Sequence, residues 1–122
     1  MRTLILALGV LSVFLSSSLL AAPRARAETI APADAKAHVG QTVTVEAAVS
    51  DVHTVRSGVT FIDIGGRYPD NTFTAVIFAG DVAKFPNASA LDGKTVAISG
   101  PVQLYQGRPE IILKSADQLK AK

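Results

Sequence analysis

Residues 58–78 read GVTFIDIGGRYPDNTFTAVIF, and this stretch decides how the rest of the chain is read. Residues 59–64 are rich in β-branched and aromatic side chains, which fit a pleated, half-buried surface. Gly65 and Gly66 end the run, and Pro69-Asp70-Asn71 turns the chain. Residues 72–78 form a second β-rich run. The stretch therefore predicts two strands joined by a glycine-rich, polar connection. Alternation puts Ile62 and Ile64 on one face of the first strand and Phe61 with Asp63 on the other. A face that carries an aspartate is usually exposed, which leaves Phe61 as either a ligand platform or a core residue.

Upstream, residues 42–53 alternate. Val43, Val45, Ala47 and Val49 share one face, and Thr42, Thr44, Glu46 and Ser50 share the other. A strand this long, with small Ala47 and Ala48 midway, can bend and serve two halves of a barrel. Before it, Pro32 suits a first helical turn and residues 33–38 continue a short helix that Gly40 can end. His38 sits at its C-terminal end, where a positive partial charge is favourable. Downstream, residues 79–84 predict one helical turn, followed by Pro86 and the polar residues 87–89. Asp92-Gly93 marks a tight turn. Residues 94–105 form a fourth strand in which Val96, Ile98, Val102 and Leu104 share a face, with a bulge or bend at Gly100-Pro101. Gln106-Gly107 turns the chain into a fifth strand at 108–113, and Ser115 can cap a last short segment at 116–119.

The fold class is therefore mainly β: a five-stranded OB-fold barrel with a short N-terminal helix and a short helical insert between strands three and four. Its expected core is Val43, Val45, Val49, Ile62, Ile64, Val96 and Ile98.

The chain of 122 residues suffices for one domain. Residues 1–27 read as a signal peptide: Arg2 supplies a positive start, residues 4–20 are almost wholly apolar, and Ala25-Arg26-Ala27 offers a small-x-small cleavage pattern. An uncleaved anchor is the alternative, since about 19 apolar residues can just span a bilayer. The expected domain is 28–122, exported to a bacterial periplasm or secreted, with no membrane segment after cleavage. Removing Arg2, Arg24 and Arg26 reduces the 12 Lys and Arg to nine, against 10 Asp and Glu, so the net charge falls from +2 to −1. That removes a global electrostatic drive toward nucleic acid, which rests on Lys and Arg neutralising phosphates, while a local basic patch remains open. There is no cysteine, hence no disulfide framework and no thiolate metal site. Asn87-Ala88-Ser89 fits a glycosylation pattern that has no meaning expected in a bacterium.

A resemblance enters with GVTFIDIGG, which is similar to the second strand of OB-fold anticodon-binding domains in aspartyl-type tRNA synthetases. More broadly, residues 38–119 resemble bacterial OB-fold proteins of the tRNA-anti type, a nucleic-acid-binding group. The closing LYQGRPEIIL, followed by Ser115-Ala116-Asp117-Gln118-Leu119, is the more telling match. The resemblance implies that Phe61 stacks on a base. Other positions depart from it: Gly65 and Gly66 stand where the synthetase domains carry an arginine and a carboxylate, and Ala75 stands in place of a base-reading glutamine. Codon-like base reading and an anticodon role are therefore not expected.

The candidate ligand-binding residues are Phe61, Arg56, Arg67, Tyr105 and Arg108. The three arginines lie in or beside loops that can surround one barrel face, and guanidinium forks match phosphate oxygens. Each is also readable as a solvated loop charge, Tyr105 as a cap on the barrel end, and His53 as a strand-end histidine. No close histidine pair, Gly-x-Ser-x-Gly elbow or phosphate-binding glycine loop is present. Asp51, Asp63 and Asp70 do not match the carboxylate pattern of OB-like secreted nucleases. The expectation is a non-catalytic binding module with no cofactor and no metal. Its partner is single-stranded DNA or RNA or, as the alternative, a small ligand, cation, saccharide or envelope protein.

Overall fold

Strand β2 is the spine of the structure, a computed structural model that describes residues 27–122. Eight strands occur among these residues: β1 (Glu28–Ile30), β2 (Thr42–Thr54), β3 (Thr60–Ile64), β4 (Phe73–Ile77), β5 (Thr95–Pro101), β6 (Gln103–Tyr105), β7 (Arg108–Ile112) and β8 (Leu119–Ala121). They form one sheet in the order β6-β7-β4-β3-β2-β5-β8, with β1 alongside β2. The two halves of β2 do different work, as its length predicts. Thr42 to Ala48 pair with β5, and Val49 to Thr54 pair with β3. The sheet thus bends along β2 and wraps its apolar face around one core.

That core contains every residue expected in it: Val43, Val45, Val49, Ile62, Ile64, Val96 and Ile98 are each at most 3% exposed. Phe73, Ile77, Ile111 and Leu113 complete it from β4, β7 and the residue just beyond β7. Full burial of such a side chain is worth about 1.5–3 kcal/mol, and no disulfide adds to it.

The expectation of a five-stranded barrel is corrected in three respects. The sheet is not closed, because β6 and β8 end it unpaired with one another. The fourth predicted strand divides at the bend expected at Gly100-Pro101. β5 continues the core, while β6 turns outward and leaves Leu104 exposed rather than on the core face. Gly100 allows this because a Cβ there would lie 2.8 Å from the Ile111 Cγ2. The two ends of the described residues also add strands that lack a long alternating run: β1 pairs parallel with β2, and β8 pairs antiparallel with β5.

Among the described residues, the helical segments are all 3-10 turns. Pro32–His38 and Ala79–Lys84 lie where short helices are expected, and Ala88–Leu91 takes up the stretch read as polar loop. Ala116–Gln118 is capped by Ser115, whose side chain pairs reciprocally with Gln118 in a capping box. Residues 1–26 of the expected signal segment lie outside the described residues. Among the described residues, no helix is long and apolar enough to cross a membrane.

Candidate binding site on the outer sheet face

A bulge in β2 builds the site. Val49 pairs with Ile64 and Asp51 with Asp63, so Ser50 is an extra residue on one strand. Since side chains alternate, one extra residue exchanges the faces. Odd-numbered residues up to Val49 point into the core; beyond the bulge Val52 turns inward opposite Ile62, and Asp51 and His53 turn outward. Ser50 is held in place by the Gly66 N–H, which donates to its hydroxyl at 2.9 Å. Across the sheet, Asp51 and His53 face Asp63 and Phe61, and the same outer face continues through Thr74 to Glu110 and Gln103. The His53 and Phe61 rings stack with centroids 5.3 Å apart.

The connection between β3 and β4 folds over this face. Gly65 starts it at φ +76°, and a Cβ there would lie 2.7 Å from the Thr72 Cβ, so glycine is required for the close return. Asn71 is the fold-back's anchor: its buried amide donates to the Phe73 carbonyl at 3.2 Å, to the Thr74 hydroxyl and, at 3.5 Å, to Asp63 Oδ1. Arg108 braces it from β7. One guanidinium nitrogen, Nη2, donates to Asn71 Oδ1 (2.6 Å), the Asn71 carbonyl (3.1 Å) and the Pro69 carbonyl (2.7 Å). The same guanidinium lies 5.3 Å from the centre of the Tyr68 ring, a cation–π contact.

Between the fold-back, the sheet face and the β6–β7 hairpin lies a pocket of about 280 Å³. Four rings, from His53, Phe61, Tyr68 and Tyr105, line it, with Arg108 and Glu110 as the charged groups on β7. Asp63 is at its floor, only 1% exposed. Burial pushes the Asp63 carboxyl above the ordinary carboxylate range; His53, the Tyr68 backbone N–H and the Thr74 hydroxyl pull it down, and Asp51 adds to the rise. Burial likewise raises the Glu110 carboxyl, against a hydrogen bond from the Gln103 amide at 2.7 Å.

Of the five candidate residues, Phe61, Tyr105 and Arg108 line this pocket. Arg67 stands outside its walls, highly exposed, with Nη2 3.4 Å from Asp51 Oδ1. Arg56, in the exposed turn between β2 and β3, is not among the lining residues. The three arginines therefore do not surround one cavity, and Arg108 spends its Nη2 on the fold-back. Asp63 shares the outer face with Phe61 as alternation predicts, yet it is buried, because the fold-back covers it. His53 lies near a strand end, as expected, and it also lines the pocket. Tyr68, Asn71 and Glu110 join the site without having been singled out in the sequence. The shift of apolar positions from Val49 to Val52 is the sequence signal that places Asp51 and His53 outward.

Neither a protein-family model nor a curated protein matches the chain. Solved structures do. A chain described as OBody AM1L10 bound to hen egg-white lysozyme superimposes with a TM-score of 0.60 at 17% identity, covering 82% of this chain and 98% of the other. Asparaginyl-tRNA synthetase from Pyrococcus horikoshii gives 0.58 at 19% identity over 79% of this chain and 23% of its own. A putative aspartyl-tRNA synthetase from Leishmania major Friedlin gives 0.53 at 14% identity over 87% of this chain and 23% of its own. The chain thus spans about a quarter of the synthetases it resembles. At these identities the likeness is one of fold, and the fold is OB-like.

Proposed function

We propose that the chain is a non-catalytic binding module that holds a single-stranded nucleic-acid segment on its outer sheet face. The observation that carries this reading is the gathering of Phe61, His53, Tyr68 and Tyr105 around one open pocket on that face. Bases stack on such rings with little regard to sequence, and OB folds commonly combine them with a positive groove. Phe61, stacked on His53 and half-buried, offers a ring of fixed orientation for one base. The hydrogen bonds of Arg108 among the described residues go to oxygens of neutral groups and to no carboxylate, and Arg67 stands at the outer margin. The likeness to synthetase chains adds support at the level of fold.

A second reading, a small neutral or cationic ligand such as a saccharide, or an envelope protein partner, is favoured by a different observation: Asp63 and Glu110 put two carboxylates in the same pocket. Carboxylates in the pocket repel a phosphate and favour a neutral or cationic group. Binding of labelled single-stranded DNA and RNA at low and high salt, beside a saccharide panel, separates the two. The first reading requires single-strand binding that weakens with salt.

Export is part of the proposal. Cleavage after Ala27 would make Glu28, the first residue of β1, the new N-terminus, so the cut would fall where the sheet begins. Intact-mass measurement of the envelope fraction tests this, and a full-length membrane-bound chain would contradict it.

A further inference from the structure

We propose that Asp51, His53 and Asp63 form a binding site for one divalent cation of the zinc class, held by one imidazole nitrogen and two carboxylate oxygens. This goes beyond the reading of the pocket given above and departs from the sequence expectation of no metal. It stands on the three side chains alone and does not depend on what the pocket binds.

The three side chains gather around His53 Nδ1. His53 Nδ1 lies 3.1 Å from Asp51 Oδ2 and 3.5 Å from Asp63 Oδ2. One ligand atom from each of the three residues can be chosen so that all lie within 4.8 Å of one another. A cation bound at about 2.1 Å in tetrahedral geometry sets its ligand atoms about 3.4 Å apart. The two distances from Nδ1 bracket that value, and rotation of the half-buried Asp51 carboxylate can adjust the remaining edge.

Asp63 supplies the independent evidence. Its Oδ2 is buried and has no hydrogen-bond partner among the described residues, although its side chain is only 2% exposed. An unpaired oxygen of a buried carboxylate is costly. His53 Nδ1 carries a single hydrogen, which is in bonding geometry with Asp51 Oδ2 and not with Asp63 Oδ2. A cation in place of that hydrogen satisfies all three groups together.

The remaining oxygens are arranged as an outer shell. Asp51 Oδ1 faces Arg67 Nη2 at 3.4 Å, and Asp63 Oδ1 faces Asn71 Nδ2 at 3.5 Å. Each carboxylate thus has one oxygen tied outward and the other turned toward Nδ1, the way outer-shell partners orient metal ligands. The stack against Phe61 restrains the imidazole plane. One nitrogen with two carboxylate oxygens suits zinc or a neighbouring transition cation better than calcium or magnesium, which favour all-oxygen shells. With three protein ligands, a further coordination position remains for water or for an oxygen of a pocket ligand.

Isothermal titration calorimetry of the purified, EDTA-treated protein with zinc chloride at neutral pH tests the site. One ion per chain is expected, with no comparable heat from magnesium or calcium chloride. Asp63→Asn keeps the side-chain shape and is expected to weaken zinc binding by about tenfold or more. His38→Gln, at the other histidine, is expected to leave it unchanged. A second readout needs no variant: nitrogen NMR of the wild-type imidazoles should show zinc on His53 Nδ1 and a proton on Nε2. Absence of zinc binding, equal binding of magnesium or calcium, binding that survives Asp63→Asn, dependence on His38, or ligation through His53 Nε2 would each overturn the proposal.

Discussion

Arg108 Nη2 donates to Asn71 Oδ1 at 2.6 Å across a sequence separation of 37 residues. This bond joins β7 to the fold-back between β3 and β4 and fixes one wall of the pocket. Asn71 passes the restraint on to Phe73, Thr74 and Asp63. A residue read in the sequence as a phosphate contact is therefore also a brace.

Arg108→Ala removes three bonds from a charged donor, two of them to backbone carbonyls. Such bonds are worth about 1.5–3 kcal/mol where their partners cannot all find water. A loss of about 2–3 kcal/mol in urea unfolding is expected, and Arg108→Lys should recover little, because a shorter lysine side chain does not carry a donor to Asn71 and Pro69 while laying a flat guanidinium by the Tyr68 ring. A loss under about 0.5 kcal/mol would mean that the fold-back holds without its brace.

Ile98 is fully buried and pairs with Val45 at the bend of the sheet. Ile98→Ala is expected to cost about 2–5 kcal/mol by chemical denaturation, from lost burial and the cavity left behind. A near-neutral change would show that the core closes over the gap.

Glu110 gives a pH-dependent prediction. Burial raises its carboxyl above the unfolded value, near 4.5, so the folded chain holds this proton more tightly. Its contribution to stability is full below that value and is lost as pH rises through the folded one. Glu110→Gln should therefore melt at a higher temperature than the wild type at about pH 7, with the difference shrinking toward about pH 4. The Gln103 contact can be remade by the new amide. A lower melting temperature at neutral pH would mean that the charged form of the Gln103 bond outweighs burial.

Much of this architecture was legible in the sequence, for identifiable reasons. Alternation fixed the core faces of β2, β3 and β5, because Val43 through Val49, Ile62 with Ile64, and Val96 with Ile98 allow one register each. The bend at Gly100-Pro101 and the turn at Asp92-Gly93 were marked by residues that few other structures tolerate. What lay beyond reach was long-range. β1 and β8 are three residues each, too short to carry a period, and they exist only through pairing with β2 and β5. The site was half legible. Phe61, Tyr105 and Arg108 were found as side chains suited to a ligand, and all three line the pocket. Arg56 was not brought in, because loop proximity in sequence does not set direction in space. Asp51, His53 and Asp63 meet across a hairpin after a bulge, and no spacing along the chain displays that.

The proposed function has the outer face bind single strands through Phe61. Fluorescence anisotropy with labelled single-stranded oligonucleotides, across a salt series, on the wild type and Phe61→Ala, decides it. The expected result is salt-sensitive binding by the wild type and a loss of about 1–3 kcal/mol in the variant, the usual range for one stacked base. An absence of binding at low salt, or binding that Phe61→Ala leaves unchanged, would contradict it.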